Sequence, residues 1–322
     1  MPNSSGIAWK VILNPHAGGG KGAHDQTKIE ALLHQSDIVY QLFISRYPRH
    51  AIELARELVA SGATHLIIAG GDGTLNEVVN GIFLADQESH HEITLGMIPV
   101  GTGNDWIKTF GIPDHYQKAI DIIKAHKTVR QDVGEITCHT EGEPSKRYFV
   151  NIAGFGFDAL VAKKANDLKS KDITGIRVYI QSLFSGYLTY KSRQTKITID
   201  GAEINVNLFS ASVGIGKFNG GGMMQVPEAN PLRGLFHLTV IRKIGIWGIL
   251  TNFKGLYSGT FIKDKRVSTH TGKVIGISSP IPLPGESDGE TLGNGTFTIG
   301  IIAHRLRVIY GSDKFLGTIE PA

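Results

Sequence analysis

The feature that most constrains the fold is a regular alternation of strand-like and helix-like runs over residues 8–125. Ala8–Leu13 is a short apolar run closed by Asn14-Pro15, and a glycine-rich stretch leads from it into a helical Asp25–Gln35. Val39–Ile44 and His65–Ala69 read as strands, and Pro48–Ala60 between them carries Ile52, Ala55, Leu58 and Val59 at helical spacing. Thr74–Ile82 is again helical, with Leu75, Val78, Val79 and Ile82 on one face; Leu95–Pro99 is a strand and Asp114–Ala125 a helix. Strands separated by helices cannot pair as hairpins, so they line up in parallel with crossovers covering both faces. A doubly wound α/β domain is the expectation for this part.

From about Asp132 onward the pattern changes to alternating runs separated by turns: Thr195–Ile199, Ile204–Val213, Leu235–Ile241 and Gly295–Ile302. Only Ala159–Lys171 and Ile176–Tyr187 read as helices there. At 322 residues the chain suits two cores. The expected domains are an α/β domain over 1–133 and a mainly β domain over 134–322, with the C-terminal tail packing back on the first. The 41% of hydrophobic residues is ample for both cores and excludes a disordered chain.

One cysteine, Cys138, excludes an intrachain disulfide and a thiolate zinc cluster. No run of about 20 apolar residues and no leader-like N-terminus is visible, so a cytoplasmic protein is expected. Charge is uneven: residues 1–133 hold 11 Lys+Arg against 14 Asp+Glu, and residues 134–322 hold 22 against 15. Around Arg242–Lys273, the apolar Ile244–Leu250, with Trp247, stands beside seven basic residues and one acid, Asp264. That face suits peripheral contact with an anionic membrane surface, or else Trp247 and its neighbours are core with a solvated rim. No nucleic-acid-reading module accompanies the charge, so no nucleic-acid partner is expected.

Gly70-Gly71-Asp72-Gly73-Thr74 follows a strand and opens a helix, where parallel sheets place their ligands. Consecutive glycines admit an anion to the backbone N–H groups, and the helix start adds about half a positive charge. A tight turn would use the same residues. Pro99-Val100-Gly101-Thr102-Gly103-Asn104-Asp105 follows the next strand and should lie beside the first loop. Asp72 and Asp105 would then supply carboxylates for Mg²⁺ while the loops take phosphates; Asn104-Asp105 also fits an N-cap for a helix starting at Trp106. The first loop, Asn14 to Gly22, is not a P-loop, because no Ser or Thr follows Lys21. Its degenerate G-x-G-x-x-A lacks the acid that a dinucleotide site needs near Phe43-Ile44-Ser45-Arg46. Lys21 suits a point charge for phosphate or a solvated loop position. Asp288-Gly289-Glu290 reads as a solvent-facing turn, or with the loops above as a general base.

Together these strings resemble the diacylglycerol kinase catalytic family, which includes sphingosine, ceramide and bacterial lipid kinases. The resemblance rests on Asn14-Pro15 with Gly18, Gly70–Glu77, Pro99–Asp105, Asn151-Ile152-Ala153-Gly154-Phe155-Gly156-Phe157-Asp158 and Asp288-Gly289-Glu290, in family order. It implies an α/β nucleotide-binding domain of the NAD kinase and phosphofructokinase kind plus a β-rich lipid-substrate domain. ATP and Mg²⁺ are the implied cofactors, and a membrane lipid is the implied substrate. Nucleotide contacts would fall on Asn14, Pro15, His16, Ala17, Gly18, Ser45, Gly71, Asp72, Gly73, Thr74, Leu75, Asn76, Glu77 and Thr102. The same resemblance puts Asp72 and Asp105 on the magnesium network and makes Glu290 the proton acceptor, while Asp132 resembles a supporting acid.

Arg233 stands where bacterial members carry the Asp of a structural magnesium site, so that metal is expected to be absent and Arg233 to enter an ion pair. The expected activity is transfer of the ATP γ-phosphate to a lipid hydroxyl, diacylglycerol giving phosphatidic acid. The other readings are a sphingoid-base kinase, a soluble-substrate NAD-kinase-like enzyme and an inactive lipid-binding regulator. A homodimer, and a location in the cytoplasm at the inner membrane face, complete the expectations.

Overall fold

The computed structural model describes residues 8–85, 93–140, 142–169, 186, 190–245, 248 and 254–314. The chain divides into two compact units, residues 1–132 with 303–322, and residues 133–302.

In the first unit, β1 (Trp9–Leu13), β2 (Tyr40–Ile44), β3 (His65–Gly70) and β4 (Thr94–Pro99) form a parallel sheet in the order β2-β1-β3-β4. The end of β16 (Glu290–Ile309) adds a further parallel strand beside β4, with Arg307 opposite Thr94. Alternate residues face opposite sides of such a sheet. Val11, Leu13, Ile67, Ala69 and Ile98 pack with Ile29 and Leu33 of α1 (Ala17–Gln35) and Ile120 and Ile123 of α5 (Tyr116–Ala125). On α3 (Asp72–Leu84), Gly81 leaves room for α2 (His50–Ala60), since a Cβ there would come within 2.3 Å of the Ile52 carbonyl oxygen. The short α4 (Asp105–Thr109) lies between α3 and α5 in the chain. The chain leaves β1 in one direction to reach β2 and returns past it to β3. Such a reversal opens a crevice at the carboxyl ends of β1 and β3.

The second unit is mainly antiparallel. It contains the greater part of β5 (Thr128–His139), then β6 (Ser145–Phe149), β7 (Ile152–Gly156), α6 (Phe157–Lys169), β8 (Arg193–Ile199) and β9 (Ala202–Gly214). After these come the two-residue β10 (Phe218–Asn219) and β11 (Met223–Met224), then β12 (Phe236–Arg242), β13 (Val267–Gly272), β14 (Val274–Ser278) and β15 (Leu283–Ser287). Two long strands change partners midway. β9 pairs with β8 over Ala202–Leu208 and with β7 over Ser210–Gly214, while β16 pairs first with β15 and then with β14. Because β7 pairs with β15 and β8 with β14, the hydrogen-bonded circuit closes on itself. Its interior holds Phe149, Phe155, Leu208, Val213, Phe236 and Phe297.

Helix Ala159–Lys171 is observed as α6, Phe157–Lys169. Most of the expected helix Ile176–Tyr187 and of the apolar stretch Ile244–Leu250, including Trp247, lies outside the described residues. Among the described residues no helix is long and apolar enough to cross a membrane. Cys138 is buried, and burial raises its thiol. Arg233 is exposed and makes no ion pair among the described residues, which corrects the expectation of one. Leu232 N–H, next to it, donates instead to Asn230 Oδ1 at 3.0 Å.

Candidate active site

Three loops meet at the carboxyl ends of β1, β3 and β4, and each pair of them is joined by a specific contact. Asn14 Nδ2 donates to Thr74 Oγ1 at 3.0 Å, tying the first loop to the start of α3. The Oδ1 of the same side chain accepts the His16 N–H at 2.9 Å. A Cβ on Gly18 would stand 2.4 Å from the Val100 carbonyl oxygen, and one on Gly101 2.6 Å from Gly71 Cα. Glycine at these positions therefore lets the backbones touch. Gly18, Gly19 and Gly20 have φ of 63°, 70° and 92° inside the first turns of α1, a left-handed run that L-residues with side chains resist. The helix expected from Asp25 is thus the part of α1 that follows these glycines, which form a kink between it and the turn at Ala17.

Asp72 and Asp105 come together at the second and third loops. Asp72 Oδ2 accepts the Asp105 N–H at 2.9 Å, and Oδ1 accepts the Trp106 N–H at 3.1 Å. The cap of α4 is therefore supplied by Asp72 from another loop. Asn104, expected with Asp105 to cap this helix, has φ 46° and gives no side-chain cap; its Nδ2 donates to the Gly101 carbonyl at 2.7 Å. Burial, then the Asp105 charge, raises the Asp72 carboxyl above its ordinary range, opposed by the two N–H donors. Lys108 Nζ lies 2.5 Å from Asp105 Oδ1 and 3.0 Å from the Gly103 carbonyl. Lys108 was not among the expected site residues; its i,i+3 spacing from Asp105 was the available signal.

The donor set fits Mg²⁺. The Asp105 charge adds to the cost of ionising Asp72, and a divalent cation would relieve it. A Cβ on Gly103 would lie 3.4 Å from Asp72 Oδ2 and 3.9 Å from Asp105 Oδ2, so glycine keeps a face of the pair open.

The remaining expected residues of the first unit have different surroundings. Pro15, Gly71 and Gly73 are partly exposed, His16 and Thr102 are exposed, and Ala17 and Ser45 are buried. Ser45 closes β2, its N–H donating to Leu13 O at 2.9 Å. Leu75 is core, and buried Asn76 accepts from Asn80 Nδ2 through its carbonyl at 2.8 Å. Both residues belong to the first turns of α3. Glu77 accepts the N–H groups of Arg49 at 3.3 Å and Ala51 at 3.2 Å, at the start of α2. Lys21 Nζ lies 5.2 Å from the centroid of the Tyr116 ring. Tyr116 in turn donates its hydroxyl to Asp25 Oδ2 at 2.7 Å.

Asp132 is fully buried, and its Oδ1 accepts the His304 N–H at 2.8 Å where the chain re-enters the first unit. Glu290 belongs to the second unit, exposed at the start of β16. Its turn is anchored by Asp288, which accepts N–H groups of Val150 (2.9 Å), Asn151 (3.0 Å) and Ile152 (3.1 Å).

The family profile described as the diacylglycerol kinase catalytic domain matches residues 8–136. A second profile, the YegS C-terminal NAD kinase beta sandwich-like domain, matches residues 151–310. A diacylglycerol kinase of Staphylococcus aureus is 31% identical over 287 residues, 87% of this chain and 85% of that protein. The chain belongs to the diacylglycerol kinase family. It is accordingly a phosphotransferase of the lipid-kinase class. A diacylglycerol kinase of Mycobacterium tuberculosis is 28% identical over 84% of each chain. Among solved structures, a Bacillus anthracis diacylglycerol kinase superposes with TM-score 0.68 at 22% identity, over 95% of this chain and 97% of that one. Yeast NADH kinase shares the fold more distantly, with TM-score 0.53 at 12% identity, over 98% of this chain and 89% of that one.

Proposed function

We propose that the protein transfers the γ-phosphoryl group of ATP to the free hydroxyl of diacylglycerol, giving phosphatidic acid. The observation that carries this reading is the knitting of three strand-end loops around the Asp72–Asp105 pair, in a chain of the lipid-kinase family. Backbone N–H groups of the first loop and of Gly71 to Thr74 hold the nucleotide phosphates, with Leu75, Asn76 and Glu77 fixing the helix behind them. Thr102 and Ser45 line the same edge. Lys21 is a point charge able to leave the Tyr116 ring for a phosphate.

Asp72 and Asp105 would hold Mg²⁺, which supplies neutralisation of phosphate charge during transfer. Glu290 accepts the proton of the lipid hydroxyl. The excess of basic residues over 134–322 favours contact with an anionic lipid surface.

Two measurements test the reading. Glu290→Gln is expected to lower turnover by about 10²-fold or more while ATP binding persists; near-wild-type turnover removes the assigned role. A screen with labelled ATP against diacylglycerol, sphingoid bases and other membrane alcohols, with soluble nucleotides as controls, is expected to label diacylglycerol. Labelling confined to the soluble controls would overturn the lipid assignment.

A further inference from the structure

The second unit contains a carboxyl pair that the proposed transfer does not use. Asp158, at the start of α6, and Glu286, in β15, both point at Gly154 of β7. Gly154 sits opposite Glu286 on one side and Ser212 of β9 on the other. A Cβ at position 154 would stand 2.5 Å from Asp158 Oδ2 and 2.6 Å from Glu286 Oε1. Only glycine leaves both oxygens that space. Glu286 is fully buried.

The hydrogen bonds around the pair are unequal. Asp158 accepts from Gln225 Nε2 on Oδ1 at 3.0 Å and from Ser212 Oγ on Oδ2 at 3.3 Å. Glu286 Oε2 accepts the Gly289 N–H at 2.7 Å, whereas its Oε1 is buried and has no donor or acceptor partner among the described residues. Two ionised carboxylates at such range, shielded from water, repel strongly, and one proton between them removes the conflict. Burial first, and Asp158 second, push the Glu286 carboxyl well above the usual range, with Asp288 and Glu290 adding to the effect. Burial pushes Asp158 up to about 6 against its two donors. The proton therefore belongs on Glu286 Oε1, the oxygen that otherwise lacks a partner, facing the ionised Asp158. The charges that act most on Glu286 among the described residues are negative: Asp158 from α6, and Asp288 and Glu290 from its own turn. Its strand neighbours are Gly154 on β7 and Thr291 on β16, neither of which titrates, and the two donors to Asp158, Ser212 and Gln225, are neutral.

The turn that depends on this pair carries Glu290. Asp288 and Gly289 have φ of 48° and 86°, a left-handed pair that must be held from outside. Asp288 holds one side through the N–H groups of Val150, Asn151 and Ile152. Glu286 holds the other through Gly289. We propose that Glu286 is a positioning residue for Glu290: sharing one proton with Asp158, it keeps its carbonyl oxygen on the Gly289 N–H, and loss of that proton drives it from Asp158 and releases the turn. The catalytic part of this inference rests on the reading of Glu290 as proton acceptor; the shared proton does not.

Glu286→Gln separates the two. Glutamine keeps a carbonyl for Gly289, offers an N–H to Asp158 and does not titrate. A group raised in the folded state lends stability that is present below its unfolded value and lost as pH rises through its folded value. Wild-type Tm is therefore expected to fall with rising pH over that window, and E286Q to fall less. The kcat of the wild type is expected to drop on the alkaline side, about tenfold per pH unit beyond the midpoint of the pair, with the ATP KM unchanged. In E286Q the ratio of kcat at about pH 9 to kcat at about pH 7 moves toward one.

Gln225→Ala, which strips a donor from Asp158, is expected to move the alkaline limb to higher pH, and it serves if E286Q does not fold. Parallel Tm profiles and identical alkaline limbs in wild type and both variants would overturn the proposal. A flattened Tm profile in E286Q alongside an active Glu290→Gln enzyme would keep the shared proton and remove the role of Glu290.

Discussion

Replacing Glu77 by alanine removes a side chain that reaches the start of α2 from α3. The N-cap residue of α2, Arg49, has φ 70° and makes no side-chain cap, so the Arg49 and Ala51 N–H groups look to Glu77 at 3.3 and 3.2 Å. These distances are long for bonds to a carboxylate, which places each near the lower end of the usual range, about 0.5–1.5 kcal/mol. The favourable interaction of a carboxylate with a helix start adds about 0.3–1 kcal/mol. Glu77→Ala should therefore cost about 1–3 kcal/mol, and Glu77→Gln about 1 kcal/mol, because one acceptor oxygen and no charge remain. The two units need not unfold together, so urea unfolding is best followed beside amide hydrogen exchange of α2. The expected result is faster exchange at the start of α2 with a modest rise in ATP KM, since α3 begins at the loop proposed to hold the nucleotide phosphates. An unchanged unfolding midpoint and unchanged exchange in E77A would refute the capping role. A many-fold rise in ATP KM in E77Q at undiminished stability would instead put the carboxylate on the nucleotide itself.

Two further substitutions test the contacts that build the centres. Asn14→Ala loses both the Thr74 and His16 bonds and is expected to cost about 1–3 kcal/mol and weaken ATP binding, measured by thermal shift with and without nucleotide. Asn14→Asp should recover part of that, because the Thr74 hydroxyl can turn to donate; a variant no better than alanine would count against the tie. Gly154→Ala drives a methyl to within 2.6 Å of both Asp158 Oδ2 and Glu286 Oε1 and is expected to cost about 1–3 kcal/mol by overpacking, read from the denaturation midpoint. A wild-type midpoint would show that the two carboxyls do not share that space.

The sequence alone determined the alternation of elements in the first unit, because helix and strand periods are local properties of neighbouring residues. Leu75, Val78, Val79 and Ile82 marked α3, and all four are buried in it. The glycine loops were legible for the same reason: Gly70-Gly71-Asp72-Gly73 and Gly101-Thr102-Gly103 each announce a strand end by composition.

What residues do across loops was not legible. Asn104-Asp105 looks like a local cap, yet the cap of α4 is Asp72, because the order of β3 and β4 in the sheet brings their ends together. Glu77 reads as part of a nucleotide string, and its contact with α2 exists only because two helices pack on one face. Glu286 stands in a turn-flanking run that resembles a solvated hairpin, and nothing adjacent in the chain marks it as buried. Its partner Asp158 arrives from 128 residues away on α6. Electrostatic coupling depends on distance through space and on exclusion of water, and both are set only when the strands of the second unit have closed their circuit.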